Sequence, residues 1–528
     1  MELYLTCDVS ILADCFESFR ELSIKHYGLD PAHYISSPGL SWDAMLKYAG
    51  IELELLTDQD MLLMIMEGIR GGLSCIMKRY VEANNKYMIN YDPTKESSFL
   101  VPVDANNLYG DAMSFKLPCK NFKWCDEKDL KYLEENILEI PDDSDIGYII
   151  KVKELIYPKE FHDKHNDYTL FPIHKNIKNE DLSPYQNKLR KITKSRKLVT
   201  SLENKNGLIC DYRTLKQSIQ HGLKLNGIEC AIKYEQKYWL KPYIDLNTKL
   251  RQEGTSEFEK DFFKLMNNAV YGKTIENVLK RQDIKFCSER KKALKYIKKI
   301  NFNRETIFTK NLVALHMNRM QVKYNKPIYA GFCVLEMSKW RMFKFVYEYL
   351  KPKWGDKIEI IQTDTDGLML YIRTKDFYED IKNDIDKWFD TSNFSKDNKF
   401  GIEPKNKMKL GCFKIETGEN IVTIFIGLRA KMYCYTIEHQ DRTELKKREK
   451  GVPCHITNRH QLLIWKKVLD NETQTSATYN MIKSEKLNVY TIEQTKVALS
   501  NFDDKRYILN DGYTTLAHGH YKIPEIEY

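Results

Sequence analysis

Long apolar runs are missing. No stretch of the 528 residues approaches the roughly 18 uninterrupted apolar residues that span a bilayer, so no membrane partner is expected. The opening MELYLTCDVS has neither a basic n-region nor an Arg-rich amphipathic character, and no targeting signal is readable. Paired cysteines are missing too: the 12 are scattered and none forms the C-x₂-C pairs that zinc and redox sites favour. They read as reduced thiols of an intracellular protein. Internal repeats and low-complexity segments are also lacking, which excludes solenoids and disordered linkers. What is present is 42% hydrophobic residues, enough for several cores, which suggests about three to five domains. Lys and Arg total 83 against 74 Asp and Glu, a net charge of +9 that favours a polyanionic partner without proving one.

Along the chain, the first 60 residues have a helical pattern, with Ile11, Leu12, Cys15, Phe16 and Phe19 on one apolar face and a breaker run from Tyr34 to Gly39. Apolar Met61 to Met66 leads into Ile69-Arg70-Gly71-Gly72, a Gly pair that lets backbone approach a phosphate chain closely. Segment 99–118 starts as a buried strand and breaks at Asp104, leaving a carboxylate at a strand end. Residues 119–205 are polar and lysine-rich; Arg190, Lys191, Lys194, Arg196 and Lys197 form either a phosphate-facing element or a solvated helix face. Helical periodicity is expected over Tyr212 to Tyr243, a second helix over Lys260 to Leu279, and a long apolar helix over 331–350. Segment 357–372 reads as two strands joined by an acidic turn, and 410–416 and 427–435 as further strands.

The acidic turn Gln362-Thr363-Asp364-Thr365-Asp366-Gly367 carries the chemistry. Apolar strands on both sides put its carboxylates at a hairpin tip, where desolvation is costly unless a cation is near. Hard divalent ions suit such oxygen ligands. Alone, this is more often an ordinary Asp-rich turn. Asp104 shifts the balance, because two-metal phosphoryl transfer takes acids from separate elements to bracket ions about 4 Å apart. Lys264, Asn268 and Tyr271 recur at i, i+4 and i+7, so a cation, an amide and an aromatic share one helix face, with Lys260 a turn earlier.

These residues resemble the motifs of family B DNA polymerases. Asp104 to Gly110 (DANNLYG) is similar to motif A, Lys264 to Gly272 to motif B and Gln362 to Gly367 to motif C, while Lys431-Met432-Tyr433 resembles the KxY motif and Ile69 to Gly72 the YxGG motif. Asn107, Gly110, Ala269, Gln362, Gly367 and Ile69 depart from the family pattern, but no carboxylate and no motif B lysine is lost. The spacer at about 115–205 resembles the first terminal-protein-region insertion of the protein-primed subgroup. YPKEFHDKHNDYTLFP, WLKPYIDLNTKLR and FEKDFFKLMNNAVYGKT are close to phrases of viral and Maverick-like elements.

The resemblance implies an α+β right-hand polymerase of palm, fingers and thumb. Its expected divisions are an exonuclease remnant at 1–60, a connector at 61–95, palm at 96–118, 206–247 and 326–420, and fingers at 248–282. Terminal-protein-region insertions follow at 119–205 and 283–325, and the KxY motif with the thumb at 421–528. It further implies a DNA-directed DNA polymerase using two Mg²⁺ ions, with Mn²⁺ as a substitute. Asp104 and Asp366 would hold both ions, with Asp364 in support. Leu108, Tyr109, Lys260, Lys264, Asn268, Tyr271 and Arg251 would meet the nucleotide, with Tyr109 the floor beneath its sugar. Ile69, Arg70, Gly71, Gly72, Lys431, Tyr433, Lys450 and Gly451 would contact DNA. Implied partners are primer-template DNA, deoxynucleoside triphosphates and a terminal protein primer, for a monomer replicating a virus, plasmid or mobile element. The nucleus or a viral replication site is the expected compartment, with an organelle left open. Tyr4 and Asp8 resemble the third exonuclease motif without the two that precede it in the family, so polymerisation without proofreading is expected of a fragment or an incomplete gene. The alternative is a catalytically decayed nucleic-acid-binding remnant, against which the intact Asp104, Asp364, Asp366 and Lys264 argue; Tyr109 argues against RNA synthesis.

Overall fold

A computed structural model describes residues 2–192 and 195–524. Its centre is a ten-stranded sheet in the order Ser74–Ile76, Ile358–Asp364, Gly367–Arg373, Ser98–Ala105, Ile421–Arg429, Met432–Glu438, Thr443–Glu449, with three short strands branching from it. Ser98–Ala105 is buried almost throughout, as a strand covered on both faces must be. Alternation sorts its side chains: Phe99, Val101 and Val103 enter one core with the helix that ends at Leu350, and Leu100 enters another with Ile361, Met369 and Phe425. The strands at 421–449, which carry the KxY-like residues, extend this sheet.

A second sheet joins Leu117–Trp124, Lys224–Lys237, Ile146–Ile156 and the short strands Lys205–Asn206 and Ile209–Asp211. One expectation fails here. The helix over Tyr212 to Tyr243 stops at Gln220, and Lys224–Lys237 is a strand, because Gly222 and Gly227 adopt positive φ and Ile228, Ile232 and Tyr234 alternate inward from there. That strand pairs with Ile146–Ile156 from Lys224↔Ile156 to Glu235↔Ile146, so this sheet spans the expected 205/206 division. Lys194 lies outside the described residues, and Lys197, in the strand Ser195–Val199, pairs with Asp504.

Helices Lys241–Glu253 and Glu257–Thr274 form the finger-like pair, the second opened by a Ser256/Glu259 capping box. Helix Ser37–Ala49 packs against them; it begins inside the expected breaker run because Pro38 sits in its first turn, where a missing N–H costs nothing. Residues 283–317 make a small three-stranded sheet with a helix and their own core of Cys287, Ala293, Leu315 and Met317. A long hairpin, Gln474–Glu485 with Asn488–Ser500, precedes a C-terminal stretch that returns to the central sheet, where the buried Arg79 donates to the carbonyls of Asn501 and Gly512. The first helix, Glu2–Tyr27, buries only Ser23 and Tyr27; Ile11, Leu12 and Phe16 are exposed and Phe19 rests edge-on against Phe262. No helix among the described residues is long and apolar enough to cross a membrane.

Candidate active site

Register brings the acids together. The hairpin Ile358–Asp364/Gly367–Arg373 lies beside Ser98–Ala105, so Gly367 pairs with Asp104 on one side and with Asp364 on the other. The amide of Ala105 donates to the Asp366 carbonyl at 3.0 Å, tying the tip to the neighbouring strand end. Asp104 and Asp366 face one cleft of about 660 Å³ together with Asp364, Glu416, Lys431 and Tyr433. Among the described residues neither the Asp104 nor the Asp366 carboxylate accepts a side-chain hydrogen bond, while Asp364 pairs with Lys431. Burial first, then the charges of Asp366 and Glu416, push the Asp104 carboxyl up to about 7; burial also raises Asp366, against the pull of Lys431 and Lys264. Half-buried carboxylates left short of cations are what a hard divalent ion satisfies. Among the described residues no group of three or more His, Cys, Asp or Glu is placed to hold a metal ion.

The residues expected to meet the nucleotide come from three helices. Asn107, at φ 44, caps the helix Leu108–Met113 by accepting from the Gly110 amide at 3.3 Å. Two departures from the family motif are thereby coupled. A Cβ on residue 110 would fall 2.6 Å from Asn107 Cγ, and a proline there would have no N–H to give. Tyr109 stacks flat on Tyr271, with ring centroids 4.5 Å apart and planes 9° from parallel. From the same helix as Tyr271, Lys264 and Asn268 are exposed, and the Lys264 charge pulls the Asp104 and Asp366 carboxyls down. Lys260 is held by Glu257 at 2.7 Å. Arg251, half-buried at the end of the preceding helix, keeps a buried Nε without a partner.

A family model for DNA polymerase type B, organellar and viral, matches residues 2–352. The chain belongs to this family. The match takes in Asp104 and the Lys264 helix and ends before the Asp364 turn, so the assignment of that turn rests on the geometry above. Comparison with curated proteins returns no matching sequence. Among solved structures, Phi29 DNA polymerase in its orthorhombic crystal form has a similar fold at 14% identity and TM-score 0.52, over 88% of this chain and 68% of that one. Phi29 DNA polymerase complexed with primer-template DNA is similar at 15% identity and TM-score 0.53, over 90% and 70% of the two chains. These likenesses establish the right-hand polymerase fold.

Within this polymerase some expected site residues take other positions. Arg70 is buried, donating to Glu336 at 3.1 Å and to the Ile209 carbonyl at 2.8 Å, so its guanidinium is not available to a template strand. The correction has a physical cause: Glu336, 1% exposed, needs a cation, and Arg70 and Lys339 supply it. Leu108 is 3% exposed and its side chain packs in the core, which leaves its backbone for any contact with a nucleotide. Ile69 packs against the second core, leaving Gly71 and Gly72 as the exposed part of their motif. Lys431 and Tyr433 stand on the cleft, Tyr433 between Phe425 and Tyr435 with its hydroxyl pushed up to about 12 by burial. The Lys450 amide donates to the Lys431 carbonyl at 3.2 Å, and Gly451 follows at φ 91. Tyr4 and Asp8 lie exposed on the first helix. Sequence reasoning missed Glu416, whose only signal was a charged position closing a strand-like run; of the basic cluster at 446–450, read from sequence as either an import signal or a DNA contact, Lys446, Lys447, Arg448 and Lys450 line the cleft.

Proposed function

We propose that this polymerase adds deoxynucleoside triphosphates to a primer 3′ end by two-metal phosphoryl transfer, with Asp104 and Asp366 holding both Mg²⁺ ions and Asp364 in support. The observation that carries this reading is the pairing of two half-buried, unpartnered carboxylates on adjacent strand ends. When bound, the ions lower the pKa of the attacking hydroxyl and neutralise the leaving pyrophosphate. Lys264, with Lys260 and Arg251, draws the triphosphate toward the helix face that carries Asn268. The Tyr109 ring, held by Tyr271, supports the sugar and leaves no room for a 2′ hydroxyl. Lys431 and Tyr433 steady the primer terminus, Lys450 and Gly451 extend that surface along the duplex, and Gly71 presents backbone to the template. Asp364 orients Lys431 through their ion pair. Phi29 DNA polymerase has been captured with primer-template DNA and incoming nucleotide substrates, and the similar fold supports the same partners here.

The finer reading is replication of a virus, plasmid or mobile element from a terminal protein primer, supported by the segments at 119–205 and 283–325 that resemble terminal-protein-region insertions. A primer-extension assay tests the chemistry. Asp366→Asn should slow extension at least ~10³-fold, roughly 4 kcal/mol of barrier, while primer-template binding survives. Near wild-type extension by this variant would overturn the metal assignment.

A further inference from the structure

The loop that leads into strand Ser74–Ile76 meets the catalytic turn at one point, Gly72 against Thr365. Thr365 lies between the two carboxylates of the turn and adopts φ 68, a left-handed backbone that β-branched residues seldom take. Its amide donates to the Leu73 carbonyl at 2.8 Å. Its side chain fills the space beside the Gly72 Cα. A Cβ on residue 72 would come within 2.8 Å of Thr365 Oγ1 and 3.0 Å of its Cβ, and nearer still to its Cγ2.

Nothing else in the loop calls for glycine at this position. Gly72 is not among the residues with positive φ, so an alanine would meet no backbone penalty there. A Cβ on the neighbouring Gly71 would meet nothing within 4 Å. The demand for a missing side chain at 72 comes from Thr365 alone. Beyond the contact, Ser74 pairs with Asp364 and Gly367 pairs with Asp104, so a shift of Thr365 is passed directly to the acids on either side of it.

We propose that Gly72 is a positioning residue for the catalytic turn: the space left by its missing side chain seats Thr365 and thereby aims Asp364 and Asp366 at the cleft. This role differs from a backbone contact with the template strand, and it rests on the reading of Asp366 as a catalytic metal ligand. A methyl group at 72 pushes the tip by a fraction of the overlap, and displacements of that order near reacting groups are expensive in rate.

The experiment is a double-mutant cycle on the full chain, read by single-turnover primer extension at saturating primer-template and nucleotide, with primer-template affinity measured separately. Gly72→Ala should slow extension by about 10²-fold with affinity unchanged. Thr365→Gly removes the atoms that the new methyl would meet and suits a left-handed backbone. The double variant Gly72→Ala/Thr365→Gly should therefore extend at the rate of Thr365→Gly alone. A Gly72→Ala protein with wild-type rate, one that loses affinity but keeps its saturated rate, or a double variant slower than Thr365→Gly by the full Gly72→Ala factor would each overturn the proposal. Should Gly72→Ala fail to fold, thermal denaturation of the double variant decides: it must fold and extend as Thr365→Gly does, and an unfolded double variant also overturns the proposal. Asp366→Asn in the same assay separates the two readings. If it extends normally, the metal assignment falls; if it is inactive and Gly72→Ala is not slowed, only the positioning role falls.

Discussion

Replacing Asp104 by asparagine should make the metal-free protein more stable while removing its chemistry. The Asp104 carboxyl is raised from 3.8 to about 7 by burial, then by Asp366 and Glu416, with Asp364 adding and Lys264 opposing. A tenfold change in an ionisation constant is worth about 1.4 kcal/mol, so ionising Asp104 in the folded chain costs up to about 4 kcal/mol more than in the unfolded one. The sign follows from the folded value lying above the unfolded value. Below about pH 4 the carboxyl is neutral in both states and the two proteins should be equally stable. As pH rises from there to about 7 the folded state holds a proton that the unfolded state has released, and wild-type stability falls. Above about 7 the whole penalty applies to wild type and none of it to Asp104→Asn.

Urea denaturation in EDTA at about pH 4 and pH 8, followed by tryptophan fluorescence, measures the difference. A gain of about 2–4 kcal/mol for the variant at the higher pH, and none at the lower, is expected. Mg²⁺ should then narrow the gap by stabilising wild type and leaving the variant unmoved, because an ion that binds only the folded state raises its stability by mass action. Extension by the variant should fall at least ~10³-fold. A variant equal to or less stable than wild type at pH 8, or a difference that ignores pH, would refute the argument that these carboxylates are held in an unrelieved, repulsive pair.

Tyr109→Val should raise ribonucleotide use relative to deoxyribonucleotide by at least about tenfold in competition assays, because the exclusion is steric; an unchanged ratio would remove Tyr109 from that role. Glu336→Leu should lower stability by about 3–5 kcal/mol, since it leaves the guanidinium of Arg70 and the amine of Lys339 buried without their carboxylate; a urea midpoint at the wild-type value would mean that the cluster carries no net charge interaction. Burial depresses the imidazoles of His518 and His520 to about 4. Their contribution is thus complete above the unfolded pKa of about 6.5 and is lost as pH falls toward 4. Hydrogen-exchange protection factors, corrected for the intrinsic pH dependence of exchange, at the amides of His518 and Leu202, which pair the C-terminal stretch with the 195–205 segment, should fall across that window and not at alkaline pH.

The parts of the site that could be read from sequence are those fixed by local rules. Strand periodicity around 99–104 and 358–372 placed both acids at strand ends, and 3.6-residue spacing put Lys264, Asn268 and Tyr271 on one helix face; both elements form as expected. The failures depend on partners distant in sequence. Strand Lys224–Lys237 looks helical from sequence because its N-terminal neighbour is a helix and its own alternation begins only at Ile228, after two positive-φ glycines. Arg70 looks like a template contact because it precedes a Gly pair. Its partner Glu336 is 266 residues away on an apolar helix, where a carboxylate carries no local signal of what it meets.

Basic residues show the limit most clearly. The net charge of +9 is weak support for a nucleic-acid partner, and the structure divides those charges into two populations that composition cannot separate. Arg70, Arg79, Arg213 and Arg506 are buried, each committed to carbonyls or side chains that join distant segments. Lys264, Lys431, Lys446, Arg448 and Lys450 remain at least partly exposed, and four of these five line the cleft that holds the acids. Arginine suits the buried group because its planar fork can satisfy several acceptors at once and is weakly hydrated, whereas lysine keeps a compact, mobile charge at the solvent edge. On the proposed function, a phosphate backbone moving through the cleft would call for exchangeable, non-directional contacts. Burial, more than the count or the kind of cation, therefore separates the two populations: Lys205 is buried and the Lys339 side chain is 10% exposed, while Arg448 is exposed on a strand otherwise lined by lysines.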